Sequence, residues 1–353
     1  MADHRDSSMA YVKAIEERRV ETSGKKPQAV LALLLDRGAP MTAVQVADAL
    51  RANGHTISER AARLYLMETD RAGFTHSLGS RRGRVLTDKG RAEISSSRVM
   101  RRVGFLSARI DRMTFAMNFD LPRRSGSVVV NVSLAEPKAF VACMDEVLQV
   151  FAKGYAMGRR AGLLSAGARI GGLIVPPGQV GLCTVCSVTL NGVLLKHGIP
   201  TFSRFGGLIE LDHGKATRFV DIICYDGTTV DPLEIFIRGG MTDYRGAITT
   251  GCGRIGASYR EFPVESRDLV QSLSADMDDI GLGALLELGH PGQPVLDVMP
   301  SDERIAAVVI GGLNPVAILA ERGFRVHPSA LSGLMEFNQL FPYEELPRRL
   351  RQL

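Results

Sequence analysis

The sequence has no run of about 18 apolar residues, so it predicts no transmembrane helix. Its opening, Met1-Ala-Asp-His-Arg-Asp-Ser-Ser, is polar and lacks the apolar core of a signal peptide. The chain therefore reads as cytoplasmic, with no membrane partner. Cysteine is scarce and odd in number: Cys143, Cys183, Cys186, Cys224 and Cys252. That argues against a disulfide framework and for reduced thiols. No Ser-His-Asp spacing, His-Glu-x-x-His run or Walker loop occurs. Gly251-Cys-Gly-Arg-Ile-Gly256 spells G-x-G-x-x-G, but the following Ala-Ser-Tyr-Arg-Glu-Phe-Pro reads as a strand where a dinucleotide site needs a helix. Cys183-Thr-Val-Cys186 has no second cysteine pair and no suitably spaced histidine to complete a zinc site. It falls on a strand pattern, where residues three apart face opposite sides. Both cysteines read as small buried residues, and neither a metal nor a cofactor is expected. The chain reads as a non-enzyme. A catalytic alternative would rest on the Cys186 thiol.

What is present fits two or three domains. The 353 residues are 45% hydrophobic, enough for a sizeable core. The net charge of +5 is unevenly spread: residues 51 to 110 hold 13 Arg/Lys against 5 Asp/Glu, and the remainder 30 against 33. A basic block on a slightly acidic protein is the footprint of nucleic-acid binding, although a solvated charge run has the same composition.

That block lies in a helical segment followed by a hairpin. Residues 1–24 read as a flexible N-terminus and 25–94 as a winged helix. A first helix runs from Pro27 to Leu35 and stops at Gly38. Thr42-Ala-Val-Gln45 fits a capping box that opens a second helix, with Val46, Ala49 and Leu50 inward and Gly54 as its stop. Ser58 or Thr56 caps a third, whose inner face is set by Ala61, Leu64 and Met67 or Glu68. Arg60, Arg63 and the Tyr65 hydroxyl lie elsewhere on that helix. Two short strands then flank the tip Gly79-Ser-Arg-Arg-Gly83. In such modules the third helix enters the major groove and the hairpin contacts the backbone. Ser58, Arg60, Arg63, Tyr65, Arg81, Arg82 and Arg84 are the candidate contacts to double-stranded operator DNA. The alternative is a winged helix used for protein contacts.

Residues 100–345 read as an α/β domain of two similar halves, about 104–225 and 226–345, related by a pseudo-twofold. The buried run from Val180 followed by Asn191-Gly-Val-Leu-Leu-Lys-His-Gly198 parallels the run from Arg304 followed by Asn314-Pro-Val-Ala-Ile-Leu-Ala-Glu-Arg-Gly323. Each reads as strand, Asn cap, short helix and Gly stop. Arg204–Leu211 parallels Ala330–Phe337. Gly126-Ser-Val-Val-Val-Asn-Val-Ser and Gly256-Ala-Ser-Tyr-Arg-Glu-Phe-Pro each lead into a helical segment, 136–154 and 265–279.

The winged helix, followed by the run Gly-x-Cys-Thr-Val-Cys-Ser-Val-Thr-Leu-Asn-Gly-Val-Leu-Leu-Lys-His-Gly-Ile-Pro, Ser203-Arg-Phe-Gly-Gly, Asp231-Pro-Leu-Glu-Ile-Phe-Ile and Gly311-Gly-Leu-Asn-Pro, closely resembles the NrpR nitrogen-repressor family from about 25 to 345. The resemblance implies a repressor of nitrogen-assimilation genes with a single regulatory domain, which dimerises and releases DNA on binding 2-oxoglutarate. It also implies that Cys186, the recurring cysteine of the pair, lines the effector pocket. A dicarboxylate needs cations or convergent N–H donors. Asn191 and Asn314 at helix starts, Gly311 and Gly312, Ser187 and Ser203, and the guanidinium groups of Arg204 and Arg254 are the candidate effector residues. The same Gly and Asn residues read equally well as turn and cap residues.

Overall fold

A computed structural model describes residues 27, 29–52, 57–79, 81–91, 94, 105–283 and 285–352. The chain divides into two compact units, Met1–Val103 and Gly104–Leu353. The expected flexible N-terminus, the stop at Gly54 and the Thr56 cap lie outside the described residues. Among those described, no helix is long and apolar enough to cross a membrane.

The first unit is a winged helix. Helix α1 (29–37) buries Val30, Leu31 and Leu34, and Gly38 ends it at φ +62°. The capping box forms as expected: Thr42 N–H donates to Gln45 Oε1 at 2.9 Å and Gln45 N–H to Thr42 Oγ1 at 3.4 Å. It opens α2 (Ala43–Ala52), which buries Ala43, Val46, Ala47 and Leu50. Ser58 caps α3 (Glu59–Arg71), accepting from Ala61 N–H at 3.2 Å. The inner face of α3 differs from the sequence reading. It is Ala62, Leu66 and Thr69, while Leu64 and Met67 are 53% and 41% exposed. Once Ser58 fixes the start, Ala62 sets a core stripe at i, i+4 and i+7. Polar Thr69 belongs to it because its hydroxyl donates to Leu66 O and meets Thr75 Oγ1. Strands β1 (Thr75–Ser77) and β2 (Arg84–Leu86) form the hairpin, with Met41 bridging to Arg84 as a third strand position. Thr87 caps the short helix α4, described at 88–91, through Gly90 N–H.

The second unit has two wholly antiparallel five-stranded sheets. Its elements run α5 (Leu106–Ala116), β3 (Ser127–Ala135), α6 (Pro137–Ala152), β4 (Arg160–Leu164), β5 (Arg169–Ile170), β6 (Leu173–Ile174), β7 (Val180–Val185), α7 (Val188–Lys196), β8 (Phe202–Asp212), β9 (Lys215–Cys224), α8 (Pro232–Arg238), α9 (Tyr244–Thr249), β10 (Gly253–Pro263), α10 (Arg267–Asp279), β11 (Leu285–Leu288), β12 (Arg304–Ile310), α11 (Asn314–Glu321), β13 (His327–Glu336), β14 (Phe341–Pro342) and α12 (Leu346–Leu350). With the short β5–β6 pair set aside, the order β3-α6-β4-β7-α7-β8 repeats as β10-α10-β11-β12-α11-β13, so the two halves share a common core of six elements. The sheet orders are β13-β3-β7-β4-β14 and β11-β12-β10-β8-β9. Thus each half lends strands to the other's sheet: the β8–β9 hairpin joins β10, and β13 joins β3.

The central strands are apolar on both faces. In β12, Ala306, Val308 and Ile310 enter one core, while Ile305, Ala307 and Val309 enter another. Helices cover both faces, so these antiparallel strands read as continuous apolar runs of the kind usual in parallel sheets.

The two strand-to-helix turns meet. A Cβ on Gly312 would lie 2.2 Å from Val185 O and 2.4 Å from Asn131 Nδ2. Gly312→Ala is expected to lower stability by about 1–3 kcal/mol, since neither backbone nor buried amide can move cheaply. Gly172, with nothing within 4 Å, serves as the control. Urea unfolding of the whole chain should separate Gly312→Ala from an unchanged Gly172→Ala.

Candidate functional site

In the winged helix, α3 turns Arg60, Arg63, Leu64, Met67 and Arg71 outward, a stripe at helical spacing. Arg63 is paired with Glu59 at 2.7 Å. Arg60, Arg81 and Arg82 are exposed and make no ion pair among the described residues. Arg84 departs from its expected place among the phosphate-facing arginines. Its Nε donates to Asp70 Oδ2 at 2.6 Å, and Asp70 also accepts from Thr75 Oγ1 at 2.6 Å. Both partners of the pair are mostly buried, so Arg84 ties the hairpin to α3. Ser58 Oγ is engaged as the helix cap, and Tyr65 is half-buried against the small core.

In the second unit a small cavity lies where the two strand-to-helix turns meet. Cys186 and Ser187 line one side, and Gly311, Gly312 and Leu313 the other; Asn131, Tyr225, Asp231, Leu233, Ala257, Ser258 and Ala330 complete it. At about 20 Å³ it has room for about one water. Burial pushes the Cys186 thiol up to about 11 and that of Cys183 to about 12. Both thiols therefore stay protonated at neutral pH, which disfavours a thiolate nucleophile.

Behind this cavity sits Arg260, 1% exposed. It donates to Ser187 O at 2.6 Å, to Ser187 Oγ at 2.7 Å and to Asn191 Oδ1, while its Nε has no partner. Asn191 Nδ2 in turn donates to Ser203 Oγ at 3.1 Å. No carboxylate forms an ion pair with Arg260 among the described residues, and burial lowers its pKa. Asp231 caps α8 by accepting from Leu233 N–H at 2.9 Å. Burial, and then the nearby Glu234 carboxylate, raise Asp231 to about 7 against the pull of Leu233 N–H and Arg109. Burial also raises Glu234, which accepts from Ala330 N–H at 2.7 Å.

The candidate effector residues therefore separate. Cys186, Ser187, Gly311 and Gly312 share the cavity wall. Asn191 and Ser203 join it through Arg260. Asn191 is not a helix cap, because α7 begins at Val188 and the amide lies one turn inside, bonded to Arg260. Asn314 is the first residue of α11. Its amide does not cap the helix but donates to Tyr155 O and Gly256 O, both at 2.8 Å. Arg204 is half-exposed, 3.8 Å from the Glu261 carboxylate. Arg254 stands opposite Glu210, whereas Arg260 stands opposite Ser203; six residues of strand separate the two arginines by roughly 20 Å. Arg254 lies in an acidic cleft with Asp212, Asp243 and Asp297. Sequence reasoning missed Arg260, Asp231, Tyr225, Ser258 and Asn131. Asp231 at least carried a signal, the Asp-Pro pair that opens a helix.

Fold and site define a winged-helix protein joined to a duplicated two-sheet domain with a small cavity at its internal junction. The profile of the NrpR regulatory domains NRD1 and 2 matches residues 103–342, and that of the ribonuclease R winged-helix domain matches 28–94. The chain belongs to the NrpR family. It is 30% identical to the global nitrogen regulator NrpRI of Methanosarcina mazei, over 88% of this chain and 95% of that protein. It is 28% identical to the global nitrogen regulator NrpR of Methanococcus maripaludis, over 88% of this chain but 54% of the relative, so it spans about half of that longer protein. A nitrogen repressor-like protein from Methanococcus jannaschii shares the fold at TM-score 0.58, with 22% identity over 68% of this chain and 98% of that one.

The pairing of Arg84 with Asp70 yields a stability prediction. Arg84→Met is expected to destabilise the winged helix by about 1–3 kcal/mol through the lost charge-assisted hydrogen bond, while Arg82→Met at the exposed tip leaves stability unchanged. Thermal unfolding of the full chain checks both.

Proposed function

We propose that this chain is a DNA-binding transcriptional regulator, a repressor of nitrogen-assimilation genes that acts as a homodimer in the cytoplasm and is released from operator DNA by 2-oxoglutarate. The observation that carries the reading is that one chain joins Arg60, Arg81 and Arg82, exposed on a winged helix and without an ion pair among the described residues, to a cavity backed by a buried arginine that likewise forms none there. The names of the relatives support it: proteins called global nitrogen regulators match both parts. Arg60 on α3 is placed to read base edges, and Arg81 and Arg82 to neutralise phosphates. No catalytic role enters this reading.

A dicarboxylate does not fit a cavity of about 20 Å³. Ligand must therefore select an opened arrangement of the two turns, and only such a preference can change DNA affinity. Ser187, the Gly311–Gly312 amides and Arg260 supply donors and positive charge for one carboxylate. Asp231 opposes an anion when ionised. As pH rises through about 7 its proton leaves and ligand binding weakens.

Calorimetry with 2-oxoglutarate is expected to show affinity falling by up to about tenfold per pH unit above pH 7, with Asp231→Asn removing that dependence. A flat profile in the wild-type chain removes Asp231 from the site.

On operator DNA, changing Arg81 and Arg82 to Ala should reduce the slope of log affinity against log salt by about one to two. Arg60→Ala should cost about 1–3 kcal/mol on the cognate site and less on random DNA. Added 2-oxoglutarate should weaken operator binding by about 5- to 150-fold. Binding of ligand without loss of DNA affinity removes the sensor model.

A further inference from the structure

A second site lies at the far end of the β8–β10 ladder, away from the cavity. We infer that Asp212, His213 and Cys252 bind a divalent transition metal of the zinc class. Asp212 Oδ1, an imidazole nitrogen of His213 and Cys252 Sγ lie within 4.8 Å of one another. Cys252 Sγ is 3.6 Å from Asp212 Oδ1, and His213 Nε2 is 3.7 Å from the same oxygen. A tetrahedral zinc with bonds of about 2.0–2.3 Å sets its ligand atoms roughly 3.3–3.8 Å apart. One sulfur, one nitrogen and one oxygen donor suit a borderline-soft ion such as zinc or cobalt(II), and not the all-oxygen preference of magnesium or calcium.

The backbone holds this geometry. Gly253 pairs with Leu211 across the ladder, so Cys252 and Asp212 face each other one step beyond. Asp212 also pairs with Lys215, leaving His213-Gly214 as a two-residue turn with φ +49° and +77°. Positive φ at both positions marks the type I′ hairpin, whose twist matches that of its strands. Gly214 N–H donates to Gly251 O at 2.8 Å, tying the hairpin to the loop that carries the cysteine. A Cβ on Gly251 would stand 2.8 Å from Gly214 N, so only glycine permits this approach. Thr250 Oγ1 accepts from Cys252 N–H at 3.1 Å and fixes the residue itself.

The surroundings favour a cation. The adjoining cleft holds Glu210, Asp212, Asp243 and Asp297 against Arg218 and Arg254, and Arg218 is already paired with Glu210 at 3.0 Å. On binding, the Cys252 Sγ–H proton passes to solvent and a sulfur–metal bond replaces it. Three protein ligands leave a fourth position open on an exposed edge. The ion would clamp the β8–β9 hairpin to the loop before β10.

The test uses the full chain, stripped with chelator and titrated with cobalt(II) as the optical stand-in for zinc. The expected result is a thiolate-to-cobalt charge-transfer band that saturates at one equivalent and is bleached by zinc. Cys252→Ser should abolish the band, and Cys224→Ser, at an exposed cysteine elsewhere, should leave it intact. His213→Asn tolerates the left-handed turn and should weaken cobalt binding more than about tenfold. Circular dichroism checks that each variant folds. No band in the wild-type chain, or a band that survives Cys252→Ser, overturns the assignment. So does unchanged cobalt affinity in a folded His213→Asn.

Discussion

The contact of Gly312 with the Val185–Cys186 backbone is the constraint on which the second unit depends. It brings the end of β12 against the end of β7, so an inner strand of each sheet terminates at one point. The exchange of the β8–β9 hairpin and β13 interlocks the halves, because neither completes its own sheet. A cavity at this junction is therefore walled by both halves. Any change in their relative position must alter it, which is the mechanical requirement for a sensor that shifts between two arrangements.

The electrostatics of the junction are equally constrained. A guanidinium buried without a carboxylate partner is costly, and Arg260 is held by neutral acceptors from Ser187 and Asn191. Asp231, lining the cavity, stays closer to neutral than an ordinary carboxyl because burial and Glu234 both resist its charge. The junction thus combines a positive charge that forms no ion pair among the described residues with a carboxyl that is readily protonated. On the proposed reading, an incoming carboxylate supplies that counter-ion.

Much of this was legible in the sequence, for identifiable reasons. The capping box at Thr42 and Gln45, the Ser58 cap and the Gly38 stop are local signals, and local chemistry decided them. The duplication was readable because β7 and β12 are buried on both faces and so appear as unbroken apolar runs. Helix registers were less secure. The inner face of α3 slipped because Thr69, a polar residue, occupies a core position that pattern reasoning gave to Leu64 and Met67. Asn191 was read as a cap because Asn before Gly is a common boundary, yet tertiary bonding to Arg260 holds it inside α7. Arg84 was chosen for its place on the hairpin, and Arg254 for its guanidinium. Their real partners, Asp70 fourteen residues upstream and the acidic cleft, are set by tertiary structure. A fully buried arginine such as Arg260 leaves no trace in a strand pattern. The exchange of β8 and β13 could not be read either, since it is a property of pairing and not of any segment.

The most direct test of the central claim is hydrogen–deuterium exchange of the full chain with and without 2-oxoglutarate. The account predicts slowed exchange in peptides covering Cys186–Ser187, Ala257–Arg260 and Gly311–Leu313, from the two halves together. Protection confined to one half, or centred on Arg254 at the far end of the ladder, would contradict it.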